Sequence, residues 1–145
     1  MNKEPIIIVA GEPNSIFIEI FFKSLKLQTY KSPLIIIASE KLVKEQMKKL
    51  GFIFKINIID KNYNISQKLS KKKINLIDVR YKFNNCFEKI SYKSNNYIEE
   101  SFKIALKILS KNNFSKFING PISKKYFLKG KSLGITEYLA KKTKI

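Results

Sequence analysis

The sequence has no histidine, no tryptophan, one cysteine and one arginine among its 145 residues. Without histidine, a Ser-His-Asp arrangement cannot be built, and with no cysteine cluster either, zinc-type sites are excluded. Cys86 has no second cysteine with which to form an internal disulfide, and no imidazole to activate it, so its expected role is packing. Glycine is scarce, at five residues, and neither G-x-G-x-x-G nor G-x-x-x-x-G-K-[ST] occurs. No apolar run approaches the ~18 residues that a membrane span requires. The opening "MNKEPIIIVAGEP" holds only a short apolar run before Glu12 and Pro13 interrupt it. That is too short for a signal peptide, and a cytoplasmic protein with no membrane partner is expected.

The length suits a single domain, and a 44% apolar fraction with 11 Phe and 7 Tyr allows a packed core. Charge is lopsided: 29 Lys plus Arg face 11 acids, for a net +18. A basic domain that binds polyanions is one reading. The composition argues otherwise, because Arg80 is the only arginine and base-edge recognition leans on the bidentate guanidinium. The lysines are also scattered, with one tight run at Lys71-Lys72-Lys73. A solvated Lys- and Asn-rich surface with no specific nucleic-acid partner is therefore expected.

Continuous β-branched runs at 5–10, 33–38, 54–59, 74–79 and 115–119 read as buried strands, apolar on both faces. Helical patterns separate them. Asn14 or Ser15 can cap a first helix carrying Ile16, Phe17, Ile20, Phe21 and Leu25. Ser39 caps a second with Leu42, Val43, Met47 and Leu50, closed by Gly51 in a left-handed cap. A third runs from Ser94 to Lys111 with Tyr97, Ile98, Ser101, Phe102, Ala105, Ile108 and Leu109 inward. Segments 60–73 and 80–93 read as irregular. Short helices are expected from Pro121 and from Thr136. The alternation predicts an α/β fold, a mostly parallel sheet with helices on both faces.

Ligands of such sheets bind beyond the carboxyl ends of the strands. Two turns fall there: Gly11-Glu12-Pro13-Asn14-Ser15 after the first strand and Asn119-Gly120-Pro121 after the fifth. Pro121 at a first helical position would leave free N–H groups beside Ser123, Lys124 and Lys125, suited to a phosphate. The plainer reading is that Gly-Pro only starts a helix.

The segment "INGPISKKYFLKGKSLGITEYLAKKT" resembles the signature of the 4-hydroxythreonine-4-phosphate dehydrogenase family of vitamin B6 biosynthesis. "PIIIVAGEPNSIFIE" is similar to that family's opening strand and turn, and "SNNYIEESFKIALKIL" to the helix before its TGP strand. The likeness spans this chain in order and corresponds to the N-terminal part of a family member, less than half of one. It implies the isocitrate and isopropylmalate dehydrogenase fold and a homodimer. It further implies NAD-dependent, metal-assisted oxidation of 4-phosphohydroxy-threonine, with loss of CO2 to give 3-amino-2-oxopropyl phosphate. A sister activity on threonate or erythronate 4-phosphate belongs to the same resemblance. Thr136 falls on the family's substrate-contacting threonine and Lys124 on its lysine. Thr136 is equally placed to cap its own helix. Ile135 and Ser123 stand where the family has histidines, and Asn14-Ser15-Ile16-Phe17-Ile18 replaces a glycine-bearing turn. The family's metal-binding histidines match nothing here. No catalytic or metal residue is therefore assigned, no residue is matched to NAD, and neither NAD nor a divalent metal is expected to bind this chain alone.

Overall fold

A computed structural model describes residues 3–143. Five strands, β1 (Ile6–Val9), β2 (Leu34–Ala38), β3 (Ile56–Ile58), β4 (Ile74–Asp78) and β5 (Phe117–Asn119), form one sheet in the order β3-β4-β2-β1-β5. Every pairing is parallel. The three central strands carry the apolar runs that the sequence showed, and Ile7, Val9, Ile35, Ile37, Leu76 and Ile77 are fully buried. The two edge strands are only three residues long, shorter than the runs at 54–59 and 115–119. Each has a single neighbour, so its ends gain no second ladder.

The helices are α1 (Phe17–Leu27), α2 (Glu40–Leu50), α3 (Asn95–Asn112) and α4 (Ile135–Thr143). From β1 to β2 and from β2 to β3 the chain moves one way along the sheet, and from β4 to β5 it moves back. Right-handed crossovers therefore set α1 and α2 together on one face and α3 on the other. In keeping with this, α1 touches α2 while α3 lies over β1 and β2. Phe22 of α1 packs with Phe52 and Phe54, and Phe102 of α3 packs with Phe117, Phe127 and Tyr138.

Local signals explain α2 well. The Ser39 side chain accepts the Leu42 N–H at 3.2 Å, and Gly51 takes the left-handed cap at φ +77°. In α3 the inward residues named above are buried except Leu109, which is partly covered, and a 3-10 turn (Tyr92–Ser94) leads into the helix. Two expectations need correction. Helix α1 starts at Phe17, whose N–H donates to the Ser15 hydroxyl at 3.2 Å, but its stripe differs: Ile18, Phe21 and Phe22 are buried, Phe17 and Leu25 pack partly on the core, and Ile16 and Ile20 are exposed. No α-helix begins at Pro121 either. A π-helical turn (Lys124–Leu128) starts three residues later, with the Ser123 hydroxyl accepting the Tyr126 N–H at 3.0 Å.

The reason lies at the end of β5. The Gly120 N–H donates to Val9 O at 2.7 Å, and a Cβ on Gly120 would sit 1.9 Å from Ala10 O. Only glycine permits that approach. Gly120→Ala is expected to lower unfolding stability by roughly 2–4 kcal/mol, as overpacking against backbone does. Gly51→Ala, at φ +77° but with open space around it, should cost only ~1 kcal/mol. Urea unfolding of the two variants measures the difference, and equal losses would show that the close contact is unimportant.

Candidate functional site

The carboxyl edge of the sheet gathers the turns after β1, β2, β4 and β5. The first and last of these are stitched together: besides the Gly120–Val9 bond, the Glu12 N–H donates to Pro121 O at 2.8 Å. Gly11 adopts φ +76°, and a Cβ there would meet Pro121 O at 2.5 Å. The space beside Gly11 is therefore filled by backbone and is not a cradle for a pyrophosphate.

Glu12 turns its side chain inward and is 3% exposed. One carboxylate oxygen accepts the Asn14 N–H at 3.2 Å and the other the Ser94 hydroxyl at 3.0 Å. Burial pushes its pKa above the usual carboxylate range, and the bonds from Asn14 and Ser94 only partly offset this. Asn14 also approaches the Tyr81 hydroxyl at 3.4 Å and accepts the Glu88 N–H at 3.0 Å. Gln46 of α2 donates to Pro13 O at 3.1 Å and Cys86 O at 2.8 Å. These contacts hold the irregular 80–93 segment against the β1 turn. Cys86, within that segment, is buried in a packing position. The Tyr97 hydroxyl accepts the Ser39 N–H at 3.2 Å, and complete burial raises its pKa strongly. Asp78 accepts the Glu40 N–H at 2.8 Å, adding a negative charge at the start of α2.

Sequence reasoning marked Glu12 as part of a turn but not as a buried carboxylate, and it did not single out Asn14, Tyr81, Ser94 or Gln46 as partners. The one available signal was an acid placed between Gly11 and Pro13 directly after a buried strand. Lys124 is exposed at the start of the π-helical turn. Thr136 is exposed in the second position of α4, so it is not that helix's cap; the Tyr138 N–H bonds to Gly134 O instead. Tyr138 lies ~200° around the helix from Thr136 and packs on Phe102 and Phe127. Thr136 thus points away from the core. Tyr138's own hydroxyl is pushed up to about 12, first by burial and then by the Glu99 charge. Among the described residues, no group of three or more His, Cys, Asp or Glu could hold a metal ion.

The profile of the pyridoxal phosphate biosynthetic protein PdxA family matches residues 29–145. This chain belongs to that family. Three solved structures share its fold. A 4-hydroxythreonine-4-phosphate dehydrogenase from Burkholderia phymatum superposes with a TM-score of 0.82 at 20% identity, over 100% of this chain and 45% of that one. A putative 4-hydroxythreonine-4-phosphate dehydrogenase from Salmonella typhimurium gives 0.78 at 19%, over 97% and 44%. The 4-hydroxythreonine-4-phosphate dehydrogenase of Klebsiella pneumoniae gives 0.76 at 19%, over 95% and 44%. No curated protein matches the sequence. The chain spans less than half the length of these solved PdxA-type chains.

The Glu12 cluster makes a pH prediction. A carboxyl whose folded pKa is raised favours the protonated form on folding. Its contribution is fully present below the unfolded value of about 4.3 and is lost as pH rises through the higher folded value. Stability of the natural chain should therefore fall relative to Glu12→Gln as pH rises above about 4. Parallel stability-versus-pH curves for the two proteins would show that Glu12 is not perturbed.

Proposed function

We propose that this chain supplies part of the substrate side of a 4-hydroxythreonine-4-phosphate dehydrogenase. Family membership over residues 29–145 carries this reading, and the shared fold supports it. The proposed reaction oxidises the secondary alcohol of 4-phosphohydroxy-threonine to a ketone. The β-keto acid so formed loses CO2 to give 3-amino-2-oxopropyl phosphate. In this reading NAD accepts the hydride and a divalent metal polarises the oxygen. The described residues of this chain do not fit either group, since no trio of ligands converges and the space beside Gly11 is filled. No chemical step is assigned to its side chains.

What the chain contributes in this proposal is binding and placement. The exposed Thr136 hydroxyl hydrogen-bonds the substrate, and the exposed Lys124 ammonium pairs with its phosphate. Ile135 follows Gly134 at the start of α4 and offers no hydrogen bond there. The working enzyme is proposed to be a cytoplasmic homodimer, its chemistry completed by residues outside this chain.

Purified chain mixed with NAD, a divalent metal and 4-phosphohydroxy-threonine is expected to form no NADH. Substrate binding, followed by NMR, should weaken about fivefold in Thr136→Val, in line with one hydrogen bond of ~1 kcal/mol. It should weaken further in Lys124→Gln. Turnover above background would overturn the view that the chemistry needs other residues. Binding unchanged in both variants would remove these two from the substrate site.

A further inference from the structure

A second concave region lies at the opposite edge of the sheet. A cleft of about 770 Å³ opens where the chain enters β2 and β4, between the end of α1 and the 67–73 loop. Six lysines line it: Lys3, Lys31, Lys68, Lys71, Lys72 and Lys73, all exposed. No aspartate or glutamate lines it. None of the six takes part in an ion pair among the described residues. Five lysines outside the cleft, Lys23, Lys44, Lys93, Lys141 and Lys142, each sit about 3 Å from a glutamate. What marks the cleft is that six lysines share one concave surface with no acidic residue in its lining.

The lysine loop is anchored from below. Asn75 of β4 is buried at 4% exposure, and its amide accepts the Ser70 N–H at 2.9 Å while donating to Ser70 O at 2.9 Å and Leu34 O at 3.2 Å. The Ser70 hydroxyl in turn accepts the N–H groups of Lys72 and Lys73. Three consecutive like charges are held in one shape at the mouth of the cleft, which disfavours them unless an anion is present. The walls below the lysines are apolar and partly aromatic, with Phe21, Leu25, Tyr30 and Phe54. The volume lies in the usual range for small-ligand sites, ~300–1,000 Å³.

We propose that this cleft binds a small phosphorylated ligand with a flat aromatic body, of the nucleoside-phosphate class. The phosphates sit against Lys71, Lys72 and Lys73, and the ring lies on the aromatic wall. A concave site of this size suits a single small molecule better than a duplex. It is separate from the carboxyl edge and does not depend on the dehydrogenase reading.

The test is titration of the intact chain with ATP, inorganic triphosphate and a single-stranded RNA, by calorimetry and by NMR. ATP should occupy one site, more tightly than triphosphate, and weaken with added salt. The Lys71→Gln/Lys72→Gln/Lys73→Gln variant should lose about tenfold or more in affinity, as expected for several phosphate contacts. Lys103→Gln/Lys107→Gln, changed on exposed α3 positions outside the cleft, should leave it unaltered. Circular dichroism checks that both variants are folded. No saturable ATP binding at millimolar concentration, or equal losses in the two variants, would overturn the proposal. So would RNA binding tighter than ATP and equally weakened by either variant, which would indicate a diffuse basic surface.

Discussion

The carboxyl edge of the sheet depends on one seam, the backbone contact between the turns after β1 and β5. Two hydrogen bonds cross it, Gly120 N–H to Val9 O and Glu12 N–H to Pro121 O. Both are possible only because Gly11 and Gly120 have no Cβ to fill the gap. The seam joins a central strand to an edge strand at the place where connections switch faces of the sheet. That is where an open parallel sheet presents its ligand crevice. It also explains why the Gly-Pro turn is used for closure: its backbone is already occupied by the β1 turn and has little left to offer a ligand.

From this seam the polar contacts spread outward. Glu12 reaches Ser94 at the entrance of α3, Asn14 reaches Tyr81 and Glu88, and Gln46 bridges Pro13 and Cys86. Each bond fastens a loop to the β1 turn, so the irregular 80–93 segment keeps a defined path without regular secondary structure. A buried carboxylate is costly in such a place unless its oxygens are satisfied. Here both are, by a backbone N–H and a hydroxyl. The amino edge has the opposite design: its buried polar group, Asn75, is saturated inside the fold, and the charge stands outside it on lysines without partners.

Much of the fold was legible in the residues. Runs such as Ile6–Val9 and Leu34–Ala38 are apolar without alternation, which distinguishes a strand covered on both faces. Ser39 and Gly51 bracket α2 as their chemistry dictates. The Thr-Glu and Gly-Pro segments pointed to the family that the profile match places over residues 29–145. The errors were local and physical. Ile16 and Ile20 fit a helical stripe, yet α1 turns Ile18, Phe21 and Phe22 to the core and leaves those two exposed. Pro121 suits a helix start, but the seam holds its carbonyl and delays the turn until Lys124.

The sequence by itself determined the element types, the parallel arrangement and the family, because these follow from periodicity, caps and short contiguous patterns. Only the tertiary structure decided which residues meet. Ser94 lies 82 positions from Glu12, and Tyr81 lies 67 from Asn14. Bonds over such separations leave no periodic mark in a chain. The same holds for the amino edge. Lys3, Lys31 and Lys71 look like dispersed surface charge until the strand order brings the ends of β1, β2 and β4 side by side. Charges distant in the chain then share one cleft, because a parallel sheet places every strand's entrance on a single edge.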